Sequence, residues 1–379
     1  MDYTLIHWAK KNLWDFLIFE RAKKLLGKNL DSNSFLEVKW WEYISDELLI
    51  EINKTKAIII CGWPGLQQSI YPSVYPLRNN LNDINVPIYT LWSWWKWIPW
   101  DNASLYKYKF TNKSKQLLDK IKYFWVRDYK TKTALIENGY KNVSMNWCPV
   151  WYDLESIWKE FSLPKNIGDI KNIVFTPAQN PVLHKQSIDS IYLLKELFPS
   201  SNIIISFVRW IKVDGETSLS ESKNIEKIIK VAKELNLEVK DTSYSTEKIK
   251  FYNDCDLHIW YRVHAHIYFL SKRLPSILIH EDGRWLWVSE SIWIDWINWW
   301  KRNIFSSIIE KINNRYVTYI YNVTFWTIKA DKNCIKILKN TLNNYIDNWF
   351  NKYKWTKEVI DSNFLIMKNF INNKIWEWK

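Results

Sequence analysis

The chain has 379 residues, of which 47% are hydrophobic and 25% are charged, a composition typical of a folded protein with more than one domain. The net charge of +13 comes from lysines scattered along the chain, and the absence of a long run of like charges argues against a nucleic-acid-binding arm. Such a surface would also favour contact with anionic lipid headgroups, glycans or a phosphorylated substrate.

The four cysteines lie far apart and form neither a C-x-x-C motif nor a cysteine–histidine spacing, so we expect reduced thiols and no metal site. No stretch reaches the roughly 18 uninterrupted apolar residues of a membrane-spanning helix. The first residues also lack a signal-peptide pattern. We therefore expect a cytoplasmic protein, with peripheral contact at the inner face of an anionic membrane as a further option.

The first half of the chain predicts a helix followed by buried strands. Apolar residues recur at helical spacing over residues 4–27, and Gly27 would end that helix. Residues 56–68 (KAIIICGWPGLQQ) predict a buried strand that runs into a glycine-rich turn. Backbone N–H groups of such a turn can face an anion or a sugar. The candidate substrate loop therefore consists of Gly62, Trp63, Gly65 and Gln67.

Two further strands follow, one in residues 85–99 and one that opens the segment 123–140 and leads into a helix. We expect Arg127 and Asp128 to form a local ion pair, with Asp128 as the N-cap of that helix, rather than to take part in catalysis. The polar segment 162–172 contains proline and glycine and predicts a linker.

The second half alternates predicted strands with helices of about 10–15 residues, which is typical of a parallel, Rossmann-like sheet. The remaining C-terminal segment lacks this alternation. The sequence therefore predicts an α/β protein with two Rossmann-like parallel-sheet domains and a mostly helical C-terminal extension. The predicted boundaries are residues 1–165, 170–303 and 304–379.

Charged side chains follow the strands predicted within residues 256–290, at the points where those strands end. Arg262 and His264 follow the strand LHIW, and Asp282 and Arg284 follow SILI. Ligands of open α/β sheets bind outside the carboxyl ends of the strands. Arginine offers a planar fork to phosphate or carboxylate, and histidine can transfer a proton near neutral pH. The structural alternative is that Arg262 pairs with an aspartate and His264 caps a helix.

His184 and Arg209 also lie just past predicted strand ends in this half. We predict that both face the crevice of Arg262 and His264. The alternatives are a surface helix position for His184 and a structural position for Arg209.

The segments WYRVHAHIYFL, LPSILI and EDGR, in residues 260–284, resemble the C-terminal signature of the polysaccharide pyruvyl transferase family. Weaker similarities to the family follow in the same order along the chain: CGWPG at 61–65, the strand containing WSW at 92–94, and CP at 148–149. The family favours glycine at several of these positions, and Trp260 stands at one of them.

Tryptophan and glycine have unusual counts in this chain. There are 27 tryptophans and 7 glycines, whereas average glycine usage of about 7% would give roughly 27 glycines. A bulky residue at a turn that requires positive φ is sterically unfavourable. We hypothesise that many tryptophans stand at UGA codons that the source organism reads as glycine. UGG codons at all of the following positions would contradict this: Trp63, Trp92, Trp94, Trp147 and Trp260.

The resemblance implies a GT-B-like arrangement and transfer of pyruvate from phosphoenolpyruvate to a sugar, as a ketal. Phosphoenolpyruvate would be a co-substrate, with no other cofactor, and the acceptor would be a sugar or lipid-linked oligosaccharide of a cell-surface or exopolysaccharide. His264 and Arg262 would be catalytic. We predict that four further residues bind the donor: Arg209, His184, Arg284 and Asp282. Two alternatives remain: a GT-B-like glycosyltransferase that uses a sugar nucleotide, and a non-catalytic glycan-binding protein with authentic tryptophans.

Overall fold

The computed structural model describes residues 1–27, 34–67, 69–95, 109–178, 180–261, 263–280, 296–298, 300–302 and 328–375. Within these residues the chain forms two parallel sheets of six strands each, with helices packed against them. The two Rossmann-like sheets predicted from the sequence are therefore confirmed. The central strands are almost wholly buried, as expected when helices cover both faces of a parallel sheet.

The first sheet has the strand order β2-β1-β3-β4-β5-β6. Its strands are β1 (Tyr3–His7), β2 (Phe35–Lys39), β3 (Ala57–Leu66), β4 (Ile88–Trp95), β5 (Ile121–Val126) and β6 (Val143–Met145). Its helices are α1 (Leu13–Leu26), α2 (Asp46–Asn53), α3 (Asn112–Lys120) and α4 (Tyr129–Glu137).

The second sheet has the order β12-β11-β10-β7-β8-β9, so the chain winds outward in both directions from β7 and β10. Its strands are β7 (Asn172–Thr176), β8 (Asn202–Phe207), β9 (Glu238–Asp241), β10 (Leu257–Trp260), β11 (Ser276–His280) and β12 (Trp296–Asn298). Its helices are α5 (His184–Leu197), α6 (Leu219–Glu234) and α7 (Val263–Ser271). A small antiparallel pair, β13 (Trp300–Arg302) and β14 (Ile328–Ala330), follows the sheet.

The helix α8 (Cys334–Phe370) confirms a helical C-terminal extension, and its side chains contact both halves of the molecule. The Ser276 N–H of β11 donates to Tyr353 Oη at 3.0 Å, and Arg273 pairs with Asp361. Near the end of α8 the Phe370 ring lies 4.8 Å from Tyr123 of β5. The extension therefore ties the second sheet to the first.

The predicted helix over residues 4–27 is wrong in its first part. Residues Tyr3–His7 form β1, which is buried along its whole length and pairs with β2 on one side and β3 on the other. Five apolar-rich residues are too few for hydrophobic periodicity to separate a strand from a helix. The helix begins only at Leu13, where the Asn12 side chain accepts a hydrogen bond from Trp14 N–H.

The glycine-rich turn predicted after the buried strand is also wrong, because β3 continues through it to Leu66. Gly62 nevertheless has a φ of +73°. The pairing of β3 with β4 becomes irregular between Pro64 and Leu66. An irregularity in the strand pairing therefore replaces the expected turn.

Positive φ angles support the tryptophan hypothesis at some positions and not at others. Among the described residues, eight non-glycine residues have positive φ. Four of them are tryptophans: Trp92 (74°), Trp147 (60°), Trp158 (71°) and Trp210 (86°). Trp63, Trp94 and Trp260 are not in this group, so the conformational argument does not apply to them. At the four positive-φ positions, glycine would relieve roughly 1–2 kcal/mol of steric cost each.

Candidate functional site

Three of the predicted site residues lie at one edge of the second sheet. His264 follows β10, His184 follows β7 and Arg209 follows β8. The strands β10, β7 and β8 are parallel neighbours, so their carboxyl ends meet at the same edge. Ligands of open α/β sheets bind outside this edge. Three other predicted site residues lie outside the described residues: Arg262, Asp282 and Arg284.

His264 is half-buried at the boundary between the two halves of the molecule. It is the second residue of α7, which begins directly after the end of β10. Its ring centroid lies 5.5 Å from that of Trp92 on β4, in an edge-on arrangement, and 6.4 Å from that of Trp14 on α1. Both contacts come from the first-sheet half, so a ligand beside His264 would touch both halves.

The substrate-loop candidates lie on β3 and just after it. Gly62 stands across from Trp92, because Cys61 pairs with Leu91 and Trp63 pairs with Ser93. A Cβ placed on Gly62 would lie 3.3 Å from Cζ3 of Trp92, so the indole covers the Gly62 backbone. Gly62 and His264 therefore lie close to the same indole.

The remaining members of this loop are less informative. Trp63 and Gly65 are residues of β3. The Gln67 side chain donates to the Ser69 carbonyl at 3.0 Å, a local contact in the segment after the strand.

Arg209 and His184 are both half-buried. The Arg209 guanidinium lies 4.9 Å from the ring centroid of Trp210, whose φ is +86°. His184 is the first residue of α5. Both follow strands that end at this sheet edge, and their donor-binding roles stay predictions.

Arg127 and Asp128 take the local arrangement predicted from the sequence. Asp128 Oδ1 accepts from Thr131 N–H at 2.8 Å and thereby caps α4. Arg127 Nε lies 3.7 Å from Asp128 Oδ2, and its guanidinium stacks 4.5 Å above the Trp94 ring. Both side chains are buried, so this pair stabilises the end of β5.

A buried histidine pair lies behind the site and was not predicted. Ser276 Oγ is 2.7 Å from Nδ1 of His258 on β10 and 2.8 Å from Nδ1 of His266 on α7. Burial lowers the pKa of His266 to about 3 and the pKa of His258 well below its ordinary value. Both rings are therefore neutral at physiological pH and serve to link β10, α7 and β11.

Lys11 joins the two halves near the same edge, and no motif in the sequence pointed to it. Its Nζ donates to both carboxylate oxygens of Asp214 at 2.8 Å. The Tyr244 N–H donates to the Lys11 carbonyl at 2.9 Å, and the Tyr244 hydroxyl donates to Asp214 at 2.5 Å. Hydrogen bonds from Lys11 and Tyr244 lower the pKa of Asp214 below its usual range. We call Lys11, Asp214 and Tyr244 the interdomain clasp.

The described ranges contain no cluster of three histidine, cysteine or acidic side chains that could hold a metal ion. All four cysteines are buried and none forms a disulfide. No helix in the described part of the chain is both long and apolar enough to span a membrane.

Comparisons with known proteins identify the fold and the family. A sequence profile described as polysaccharide pyruvyl transferase matches residues 12–283. None of the curated proteins matches the chain.

Two solved structures illustrate the fold. The Staphylococcus aureus MnaA structure with UDP superposes with a TM-score of 0.55 at 9% identity, over 99% of this chain and 96% of that one. A Listeria monocytogenes protein assigned as a UDP-N-acetylglucosamine 2-epimerase superposes with a TM-score of 0.53 at 7% identity, over 100% and 97%. At such low identity these likenesses show the fold alone, which is GT-B-like as expected.

Proposed function

The chain belongs to the polysaccharide pyruvyl transferase family, and from that premise we propose that it transfers pyruvate from phosphoenolpyruvate to a sugar as a ketal. The proposed acceptor is a sugar or a lipid-linked oligosaccharide of a cell-surface or exopolysaccharide. The observation that carries the proposal is the position of His264, which lies at the carboxyl edge of the second sheet and faces Trp92 of the first.

The reaction requires a proton at one carbon of the donor and stabilisation of its negative charges. The donor gains a proton at C3 while C2 takes up positive charge. One acceptor hydroxyl adds to C2 and the phosphate leaves C2 with the electrons of the C–O bond. The second hydroxyl then closes the ketal. Of the two hydroxyl protons, one balances the proton gained at C3 and the other leaves with the phosphate.

The proposed roles follow from side-chain chemistry. His264 transfers the proton, as donor to C3 or as acceptor from a hydroxyl. Arg262 holds the carboxylate or phosphate with its bidentate fork. Arg209 and His184, at the ends of the neighbouring strands, add positive charge or hydrogen-bond donors toward the same ligand.

A second candidate is a GT-B-like enzyme that uses a sugar nucleotide. The S. aureus structure that shares this fold contains UDP, and that is the observation in favour. The glycan-binding alternative is less favoured. Among tryptophans whose side chains the structure describes, only Trp158 and Trp355 are half exposed or more, so few could stack on a sugar at the surface.

The experiment compares phosphoenolpyruvate with a UDP-sugar in a protein with glycine in place of the buried tryptophans Trp14, Trp92 and Trp260. The variants His264→Gln and Arg262→Lys are made in the same glycine-substituted protein. We expect phosphate release from phosphoenolpyruvate in the presence of acceptor, and no turnover of the UDP-sugar. His264→Gln should lower kcat by about 10²–10⁴-fold with little change in KM. Arg262→Lys should mainly raise KM, because lysine cannot form the bidentate contact. Turnover of the UDP-sugar without phosphoenolpyruvate would contradict the proposal.

A further inference from the structure

Three indole rings fill the space where the carboxyl edges of the two sheets face each other. Trp14 of α1 and Trp92 of β4 come from the first half, and Trp260 ends β10 of the second. The Trp14 and Trp260 rings are 5.3 Å apart, and all three side chains are almost fully buried. With His264, which contacts Trp14 and Trp92, they form one packed group that we call the aromatic plug.

The three indole N–H groups of the plug lack hydrogen-bond acceptors in the part of the chain that the structure describes. The indole N–H groups of Trp14, Trp92 and Trp260 are buried, and none has an acceptor among the described residues. Outside the plug, Trp125 Nε1 donates to the Trp147 carbonyl at 2.8 Å, whereas the buried Trp147 Nε1 also has no acceptor among the described residues. Leaving a buried donor unpaired costs about 1–3 kcal/mol. Three such donors side by side indicate that this space is not built for indoles.

The backbone beside the plug is also unsuited to a large side chain. Trp92 has a φ of +74°, and Gly62, its neighbour across the sheet, has a φ of +73°. Two left-handed residues therefore lie across from each other within β3 and β4, where glycine would leave the backbone accessible. The Trp92 indole instead covers Gly62 and also contacts His264.

We propose that the aromatic plug occupies the donor chamber of this enzyme, and that glycine at positions 14, 92 and 260 opens it to an anionic three-carbon phosphate ester. This inference rests on the proposed function. The tryptophan side chain and phosphoenolpyruvate have the same number of non-hydrogen atoms, so one vacated indole makes room for one donor molecule. The open chamber is bordered by the Gly62 backbone on one side and by His264 on the other.

The test uses the triple variant Trp14→Gly/Trp92→Gly/Trp260→Gly. Trp158→Gly is the matched control, because Trp158 also has positive φ but is exposed and lies outside the plug. The rate at which diethyl pyrocarbonate modifies His264 is followed by peptide mass spectrometry. Binding of phosphoenolpyruvate is measured by calorimetry. Neither readout depends on turnover.

In the triple variant we expect modification of His264 to accelerate roughly tenfold or more, since a covered group reacts only through local opening. Phosphoenolpyruvate should bind to this variant and slow the modification. Trp158→Gly should behave like the parent. A folded triple variant in which His264 stays as unreactive as in the parent would overturn the inference.

Other outcomes separate the chamber from the proposed function. If His264 becomes reactive and UDP-N-acetylglucosamine protects it while phosphoenolpyruvate does not, the chamber stands and the proposed function fails. If the triple variant does not fold, Trp92→Gly alone must show the faster modification. Loss of folding in that single variant would also overturn the inference, because glycine at a φ of +74° should relieve strain.

Discussion

At the scale of single residues, backbone conformation decides what each tryptophan contributes. Trp158 and Trp355 are both about half exposed, at 54% and 50%. Trp158 has a φ of +71°, whereas Trp355 lies within the helix α8. Replacement of tryptophan by glycine should therefore change the free energy of unfolding in opposite directions at these two sites.

Trp158→Gly should raise the free energy of unfolding by about 1 kcal/mol, because it removes a Cβ from a left-handed position. Trp355→Gly should lower it by a few tenths of a kcal/mol or more, because glycine is the poorer helix former. Urea denaturation of both variants beside the parent measures this difference. Equal effects of the same sign would show that backbone conformation is not what distinguishes the two positions.

Sequence reasoning succeeded with residues where local chemistry decides the outcome. The cap formed by Asp128 could be predicted because it depends on neighbours along the chain. The contact of Trp92 with His264 could not, because it joins a strand of the first half to a helix of the second. The four tryptophans at positive φ were only partly foreseen, since composition gives a count and not a dihedral angle.

At the scale of elements, β10, α7 and β11 are held together by the buried pair of histidines on Ser276. Their folded-state pKa values lie below the value of about 6.5 expected in the unfolded chain. As the pH falls below about 6.5, the unfolded chain binds protons that the folded protein does not, so stability decreases. Above about pH 6.5 both histidines are neutral in the folded and the unfolded chain, so the pair contributes no pH dependence to the free energy of unfolding.

We expect the free energy of unfolding to fall steadily from about pH 6.5 downward and to fall less steeply in His258→Gln/His266→Gln. Glutamine keeps a hydrogen-bonding side chain at both sites and does not titrate. His7 also has a pKa lowered by burial, but it is present in both proteins and cancels in the comparison. Denaturation series at several pH values provide the slopes, and identical slopes would exclude the pair as the acid-sensitive element.

Whether a segment forms a helix or a strand was largely predictable, because the buried strands and amphipathic helices have clear patterns of hydrophobic residues. The failure at β1 shows the limit. Tyr3–His7 is a strand only because β2 and β3 supply partners on both sides, and these partners lie far along the chain. The extension of β3 through its glycines has the same cause, since pairing with β4 overrides the local turn signal.

At the scale of the whole molecule, the interdomain clasp and α8 connect the two halves. Lys10 and Lys11 are neighbours in sequence, and both pair with acidic residues of one loop. Lys10 pairs with Glu216 at 2.5 Å at the surface, whereas Lys11 is 4% exposed and pairs with Asp214. This chain therefore contains its own matched control for the effect of burial on an ion pair.

Lys11→Met should lower the melting temperature by roughly 5 °C or more, because it leaves Asp214 and the Thr217 hydroxyl without their shared donor. Lys10→Met should change it by less than about 2 °C, as expected of a surface pair. Calorimetric scans of both variants and the parent measure these melting temperatures. Similar small shifts would mean that the clasp does not hold the halves together.

The fate of the donor carbons in heavy water decides whether this protein transfers pyruvate as a ketal. Phosphoenolpyruvate labelled with ¹³C at C3 is incubated in D₂O with the triple variant Trp14→Gly/Trp92→Gly/Trp260→Gly and acceptor saccharides, and the product is followed by NMR. We predict that the vinyl carbon becomes a methyl group carrying one deuterium, attached to a ketal carbon, as inorganic phosphate is released. We also predict loss of this product in His264→Gln. An unchanged vinyl group in every acceptor mixture, with a UDP-sugar consumed by the same protein, would contradict it.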